Sequence, residues 1–189
     1  MRGMICSALA AVVLVAASPL DARAQALAGL FKGSLTGHAG AITGGEISEA
    51  RATLGASVAV HEDNGWGAEI DFGHTPDVLG GIQVLDITTY MVNAIWTRPD
   101  GLFRPFGVAG FGILQVNGCD APCNQSARTY DLGFNAGGGT YFVLNDYASL
   151  RGDLRYFYSG GDHPDLRRPD SMNFWRVSVG ATFTWAIAP

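Results

Sequence analysis

Eight times along this chain, apolar side chains alternate with glycine or polar ones, and that repeat limits the fold more than any other feature. Successive side chains of an extended chain point to opposite faces, so each run reads as a strand with one apolar side. The last run is the cleanest. From Phe174 to Trp185, Trp175, Val177, Val179, Ala181, Phe183 and Trp185 share one face, opposite Arg176, Ser178, Gly180, Thr182 and Thr184. In Trp66 to Gly73, Trp66, Ala68, Ile70 and Phe72 oppose Gly67, Glu69, Asp71 and Gly73. Between Thr53 and Val60, Leu54, Ala56, Val58 and Val60 turn away from Thr53, Gly55, Ser57 and Ala59. In Tyr147 to Tyr158, Ala148, Leu150, Leu154, Tyr156 and Tyr158 oppose Ser149, Arg151, Asp153 and Arg155. Tyr130 to Val143 sets Tyr130, Leu132, Phe134, Ala136 and Phe142 against Asp131, Gly133, Asn135, Gly137, Gly139 and Tyr141. Thr88 to Thr97 gathers Tyr90, Val92, Ala94 and Trp96 on one side. The first run, Phe31 to Ala39, is weaker, with Lys32, Ser34, Thr36 and His38 on its polar side, and Phe103 to Val116 is so rich in glycine that the pattern assigns no faces.

The links between runs alternate in length. Glu62 to Gly65, Arg98 to Gly101 and Asn145-Asp146 carry tight-turn chemistry. Gly40 to Ala50, Thr75 to Asp86, Asn117 to Arg128 and Gly160 to Asn173 read as long loops. Short turns then gather at one end and long loops at the other, with both termini on the short-turn side. The expected fold is all-β: an eight-stranded antiparallel up-and-down barrel.

Composition decides which face meets water. Charged residues make up 15% of the chain, against about 25% in an ordinary soluble domain, and Lys32 is the single lysine. The face opposite the apolar one is built of Gly, Ser, Thr and Asn, which suits the crowded lumen of a small barrel. Aromatic residues gather toward the strand ends, at Trp66, Trp96, Phe142, Tyr156, Tyr158, Trp175 and Trp185, as in the girdles of a barrel at a bilayer surface. The barrel is therefore expected to be transmembrane, its apolar face on lipid. Charges that point into the lumen have to pair there. Glu69, Asp71, Asp131 and Asp153 are set against Lys32, Arg151, Arg155 and Arg176 as an interior charge network. The inverse arrangement, a secreted soluble lipocalin-like barrel holding an apolar ligand, is the alternative. After the N-terminal segment no apolar run is long enough for a helical span, and a net charge of −5 offers no basic patch for nucleic acid.

Residues 1–26 read as a secretory signal peptide: a positive start at Arg2, an apolar core from Ile5 to Ala17, and small-x-small cleavage sites at Ala22-Arg-Ala24 and Ala24-Gln-Ala26. Residues 27–189 form the barrel domain. Its two cysteines, Cys119 and Cys123, lie in the polar stretch Asn117 to Asn124. An oxidising compartment favours a loop disulfide between them, and free thiols remain the reading if the geometry forbids one.

Arg104-Pro-Phe-Gly-Val-Ala-Gly-Phe-Gly112, Asn135-Ala-Gly-Gly-Gly-Thr-Tyr141 with the following Arg151-Gly-Asp153, and the ending give the chain a resemblance. It resembles the bacterial outer-membrane β-barrel family that includes the OmpA-like and opacity-type small porins. The resemblance implies an address in the outer membrane, contact with its lipids, and a final strand read by the barrel assembly machinery, with Ser178, Gly180, Phe183 and Trp185 as the signal. One departure is that Ala186-Ile-Ala-Pro189 continues past the final aromatic residue.

Catalytic chemistry finds little support. None of His38, His61, His74 and His163 is followed two residues later by a serine, as a lipid A deacylase type would require, and no nucleophile, base and acid are seen to converge. Asp162-His-Pro-Asp165 reads as a solvated loop rather than a metal site, and Gly137-Gly-Gly139 lacks the helix start of a phosphate loop. The expectation is an outer-membrane barrel with a structural, surface-exposed or minor small-solute pore role, with no catalysis, cofactor or metal. Its long loops are the place for a surface ligand. A lipid-modifying enzyme is a further, weaker alternative.

Overall fold

A computed structural model describes residues 31–45, 47–76, 83–120, 126–160 and 171–187. Its elements are β1 (Phe31–Gly44), β2 (Ile47–Glu62), β3 (Trp66–Thr75), β4 (Gln83–Thr97), β5 (Phe103–Asp120), β6 (Ser126–Val143), β7 (Ala148–Gly160) and β8 (Ser171–Ala186). Each strand pairs antiparallel with the next, and β1 pairs with β8 from Lys32↔Ala186 to Thr43↔Trp175, closing the barrel in chain order. Closure leaves no unpaired sheet edge, the condition for strands to cross a bilayer.

The short turns follow their sequence chemistry. Gly65 takes a φ of 92° and donates its N–H to the Glu62 carbonyl at 3.0 Å, while the Asn64 side-chain oxygen accepts from the Trp66 N–H at 2.9 Å. Asn145 similarly caps the N–H groups of Tyr147 and Ala148 at 2.9 Å. At the other end the links are shorter than the pattern suggests. β1 and β2 run on until only residues 45 and 46 separate them, with Gly44 and Gly45 at φ of 80° and 61°. Two successive left-handed residues make a tight hairpin, so the first loop is not long. β4, β5, β6 and β8 also extend past their expected limits. These extensions mix Gly, Ser, Thr and Asn with apolar residues, so the ladder continues where alternation no longer marks it.

The faces divide as expected. Leu54, Val58, Trp66, Ile70, Phe72, Leu150, Leu154, Val177, Val179 and Phe183 are exposed on the outer wall, while the intervening polar residues of the same strands are buried in the lumen. A soluble barrel holding its apolar residues inside is thereby excluded. Outward aromatic residues form a lower belt in which Trp66 pairs in register with Trp96 and Phe103 with Phe142, and an upper one in which Tyr156 meets Trp175 at 5.0 Å.

β5 resolves the strand that the sequence left open. Phe106, Val108, Leu114 and Val116 point inward, and Phe103, Phe111 and Ile113 outward. Both faces are apolar because the lumen itself holds two apolar layers. One, toward the long loops, packs Ile42, Ile87, Met91, Leu114, Phe157 and Phe174 among others. The other, toward the short turns, packs Ile95, Phe106, Val108 and Tyr141.

Candidate functional site

Between these two layers lies the charge network. Alternation carries Glu69 and Asp71 inward from β3, Arg151, Asp153 and Arg155 from β7, and Arg176 from β8, so three acids meet three guanidinium groups in one section of the barrel. Arg151 Nη1 donates to Glu69 Oε2 at 2.6 Å, and its Nη2 to Asp153 Oδ2 at 2.8 Å. Arg155 bridges Glu69 Oε1 and Asp153 Oδ2 through Nη2, both at 2.8 Å, and adds Nε to Asp153 Oδ1 at 2.9 Å. Arg176 Nη2 lies 2.8 Å from Asp71 Oδ1, and His38 Nε2 lies 3.3 Å from Asp71 Oδ2. All six charged side chains are buried. A charge taken from water is tolerable only when paired with good geometry, and here opposite charges balance within hydrogen-bonding distance.

The network is seated by its neighbours. Arg151 lies 4.5 Å from the Phe106 ring centre and Arg176 5.0 Å from that of Phe157, cation–π contacts that tie the charged section to the apolar layer on each side. Asn93 donates to Glu69 Oε1 at 3.0 Å, and Asn135 donates to Asn93 at 2.7 Å. Gly73 leaves space: a Cβ there would stand 2.8 Å from Arg176 Nη1 and from Thr89 Oγ1.

Two members of the expected set lie elsewhere. Lys32 sits at the short-turn mouth, where Nζ meets Asp63 at 3.3 Å with both side chains about half exposed. It occupies the second position of β1, and its long stem carries the ammonium to water rather than into the network. Asp131 is buried nearer the long loops, in register with Leu114, and is not without a partner. Sequence reasoning passed over Asn93, Asn135 and His38 as network members. Their inward parity was the available signal, but neutral amides give no charge complement by which to pair them.

Of the end-strand residues, Ser178 is buried on the lumen side and Gly180 lies against His38, while Phe183 and Trp185 stand on the outer wall with ring centres 6.1 Å apart. His74 Nδ1 lies 3.0 Å from the Thr88 hydroxyl, and His61, next to last in β2, lies at the short-turn mouth. The side chain of Cys119, Cys123, the segment Asp162 to Asp165, and residues 1–26 lie outside the described residues.

A family model described as outer membrane protein beta-barrel domain matches residues 7–183. A comparison with curated protein sequences finds no match. Among solved structures, Neisserial surface protein A superposes with a TM-score of 0.62 at 12% identity, over 84% of this chain and 97% of that one. The N-terminal β-barrel domain of Pseudomonas aeruginosa OprF gives 0.58 at 14% identity, over 82% and 97%. Ail of Yersinia pestis, in complex with the heparin analogue sucrose octasulfate, gives 0.54 at 16% identity, over 82% and 99%. At these identities the likeness is one of fold.

Proposed function

The chain belongs to the outer membrane protein β-barrel family, and from that premise we propose that it is a surface-exposed structural barrel whose lumen is closed to bulk solute and which carries out no catalysis. It resides in the bacterial outer membrane, in contact with its lipids. The observation that carries the closed-lumen reading is the stacking of an ion-paired section between an apolar layer drawn from β1, β2, β4, β5, β7 and β8 and a smaller one drawn from β4, β5 and β6. Water and ions crossing it would have to break buried pairs whose separation is costly. A narrow eight-stranded interior filled by side chains has the same consequence.

His38 Nε2 lies 3.3 Å from Asp71 Oδ2, and this imidazole–carboxylate pair is read as part of the lumen's charge network rather than as a catalytic base with its orienting acid. Residues 1–26 serve as a cleaved export signal, Ser178, Gly180, Phe183 and Trp185 as the mark read by the assembly machinery, and Cys119 and Cys123 as a disulfide on the loop side. The segments on that side are the surface offered to an external ligand.

The test is to purify the chain from outer membranes, confirm that its gel mobility shifts on boiling, and reconstitute it into planar bilayers. The expected result is membrane recovery, a heat-dependent shift and no steady conductance. Stable open-channel current from the folded form would contradict the closed lumen.

A further inference from the structure

Every strand pair of the barrel except one is joined directly in sequence, so that a turn or loop holds it near its register. The exception is β1 with β8, the two ends of the barrel, which no link guides together. Closing this seam also carries the largest loop entropy, since it brings together the residues farthest apart in the chain. Its outer face gives little direction. Leu35, Gly37, Ala39 and Ala41 stand there on β1, opposite Phe183, Ala181, Val179 and Val177 on β8. A slip of two residues would keep an apolar face on lipid throughout.

One pair on that face is different. Gly33 is the register partner of Trp185, and a Cβ on it would stand 2.5 to 2.7 Å from Cε2, Cζ2 and Nε1 of the indole. The ring lies over the glycine, which is buried although it belongs to the outer wall. Phe183 braces the ring, its centre 6.1 Å away and its plane inclined by 25°. Gly37, on the same strand and the same face, has nothing within 4 Å of the place its Cβ would take. Close approach of a partner side chain is therefore particular to Gly33.

The neighbours of Gly33 complete the constraint. Phe31 and Leu35 are the next residues on its face, so a slip of two in either direction sets the indole against a large side chain. A slip of four toward Gly37 carries Trp175, Arg176 and Val177 past the end of β1 at Gly44. In the register observed the ladder runs on beyond the ring: Ala186 pairs with Lys32, and the Ile187 N–H donates to the Phe31 carbonyl at 3.1 Å. These residues past the final aromatic belong to the seam. On the lumen side the Thr36 and Thr182 hydroxyls meet at 2.8 Å in the same register.

We propose that Gly33 and Trp185 form a size-matched key that sets the register in which the barrel closes. The key acts within the chain and does not rest on Trp185 being read by the assembly machinery. Folding without that machinery separates the two roles.

For the test, the protein with its own cysteines replaced by serine is refolded from urea into lipid vesicles that hold no other protein, and closure is followed by the heat-dependent gel shift. Register is read by disulfide formation. Leu35→Cys with Phe183→Cys joins partners, whereas Leu35→Cys with Ala181→Cys, or Gly37→Cys with Phe183→Cys, joins residues that become partners only after a slip of two. Antiparallel partners have Cα atoms about 4.5–5.5 Å apart, within disulfide reach, and diagonal neighbours about 7–8 Å apart, beyond it. The unsubstituted seam is expected to give the partner cross-link alone. Gly33→Val is expected to close about fivefold more slowly or worse and to yield a slipped cross-link, while Gly37→Val closes at the wild-type rate. Gly33→Trp combined with Trp185→Gly is expected to restore the partner cross-link, because the strands of an antiparallel pair are equivalent and either can supply the ring. This transposed variant decides the matter if Gly33→Val does not fold. Wild-type rate and register in Gly33→Val, equal slowing in Gly37→Val, or a transposed variant no better than Gly33→Val would overturn the proposal.

Discussion

Leu154 and Arg155 are neighbours on β7, yet the leucine is 46% exposed and the arginine 1%. In a sheet with one face in water these exposures would be reversed. The leucine lies on an outer wall that is apolar along every strand, and lipid satisfies it without any specific partner. The arginine lies in a section where each donor needs a particular acceptor, and Glu69 and Asp153 supply them. The outer wall is therefore defined by a class of residue and tolerant of exchange within that class, whereas the lumen is defined by individual contacts.

The largest effect expected from breaking this contrast is on the inner side. Arg155→Met removes the guanidinium shared by Glu69 and Asp153 and leaves buried carboxylates under-compensated, at a cost of about 3–5 kcal/mol. Urea unfolding in lipid vesicles, read by the heat-dependent gel shift, measures it, and a loss below 1 kcal/mol would show that the network is not needed. On the outer side, Val179→Arg places a charge in lipid near the middle of β8 and is expected to cost about 2–4 kcal/mol and to slow assembly. Wild-type folding yield for that variant would reverse the assigned faces. Val179→Leu, by contrast, should assemble normally.

Gly73→Ala sharpens the comparison further, because it adds one methyl group on the lumen side against Arg176, which Asp71 holds in place. A destabilisation of about 1–3 kcal/mol is expected from overpacking, detectable in the same unfolding assay. The smallest effect belongs to Lys32→Ala. Its ion pair with Asp63 is about half exposed, and such pairs contribute at most about 1 kcal/mol. A larger loss would return Lys32 to the network from which its position separates it.

The faces of β3, β7 and β8 are legible in sequence because charged or small polar residues alternate there with large apolar ones, and parity alone sorts them. β5 is not, since Phe106, Val108, Leu114 and Val116 build the lumen's own apolar layers and leave no contrast with Phe111 and Ile113 on the outside. The upper reaches of β1 and β2 escape for a related reason: Gly40, Thr43 and Gly44 give no apolar alternation, and the β1–β2 register shifts between Ile42 and Gly44. Within the network, parity brings six of the charged residues into the lumen. The pairing of Arg155 with Glu69 across it depends on barrel closure, and so does the approach of His38 to Asp71, which no strand pattern encodes.

The chain carries four tryptophans, Trp66, Trp96, Trp175 and Trp185, all of them exposed on the outer wall. The most direct test of the central claim is therefore to fold the protein into vesicles whose acyl chains carry bromine and to record its native tryptophan emission. Strong quenching relative to unbrominated vesicles is the predicted result, because these indoles belong to the belts that face lipid. Unquenched emission from folded, vesicle-associated protein would place the tryptophans away from the bilayer and contradict the assignment of the two faces.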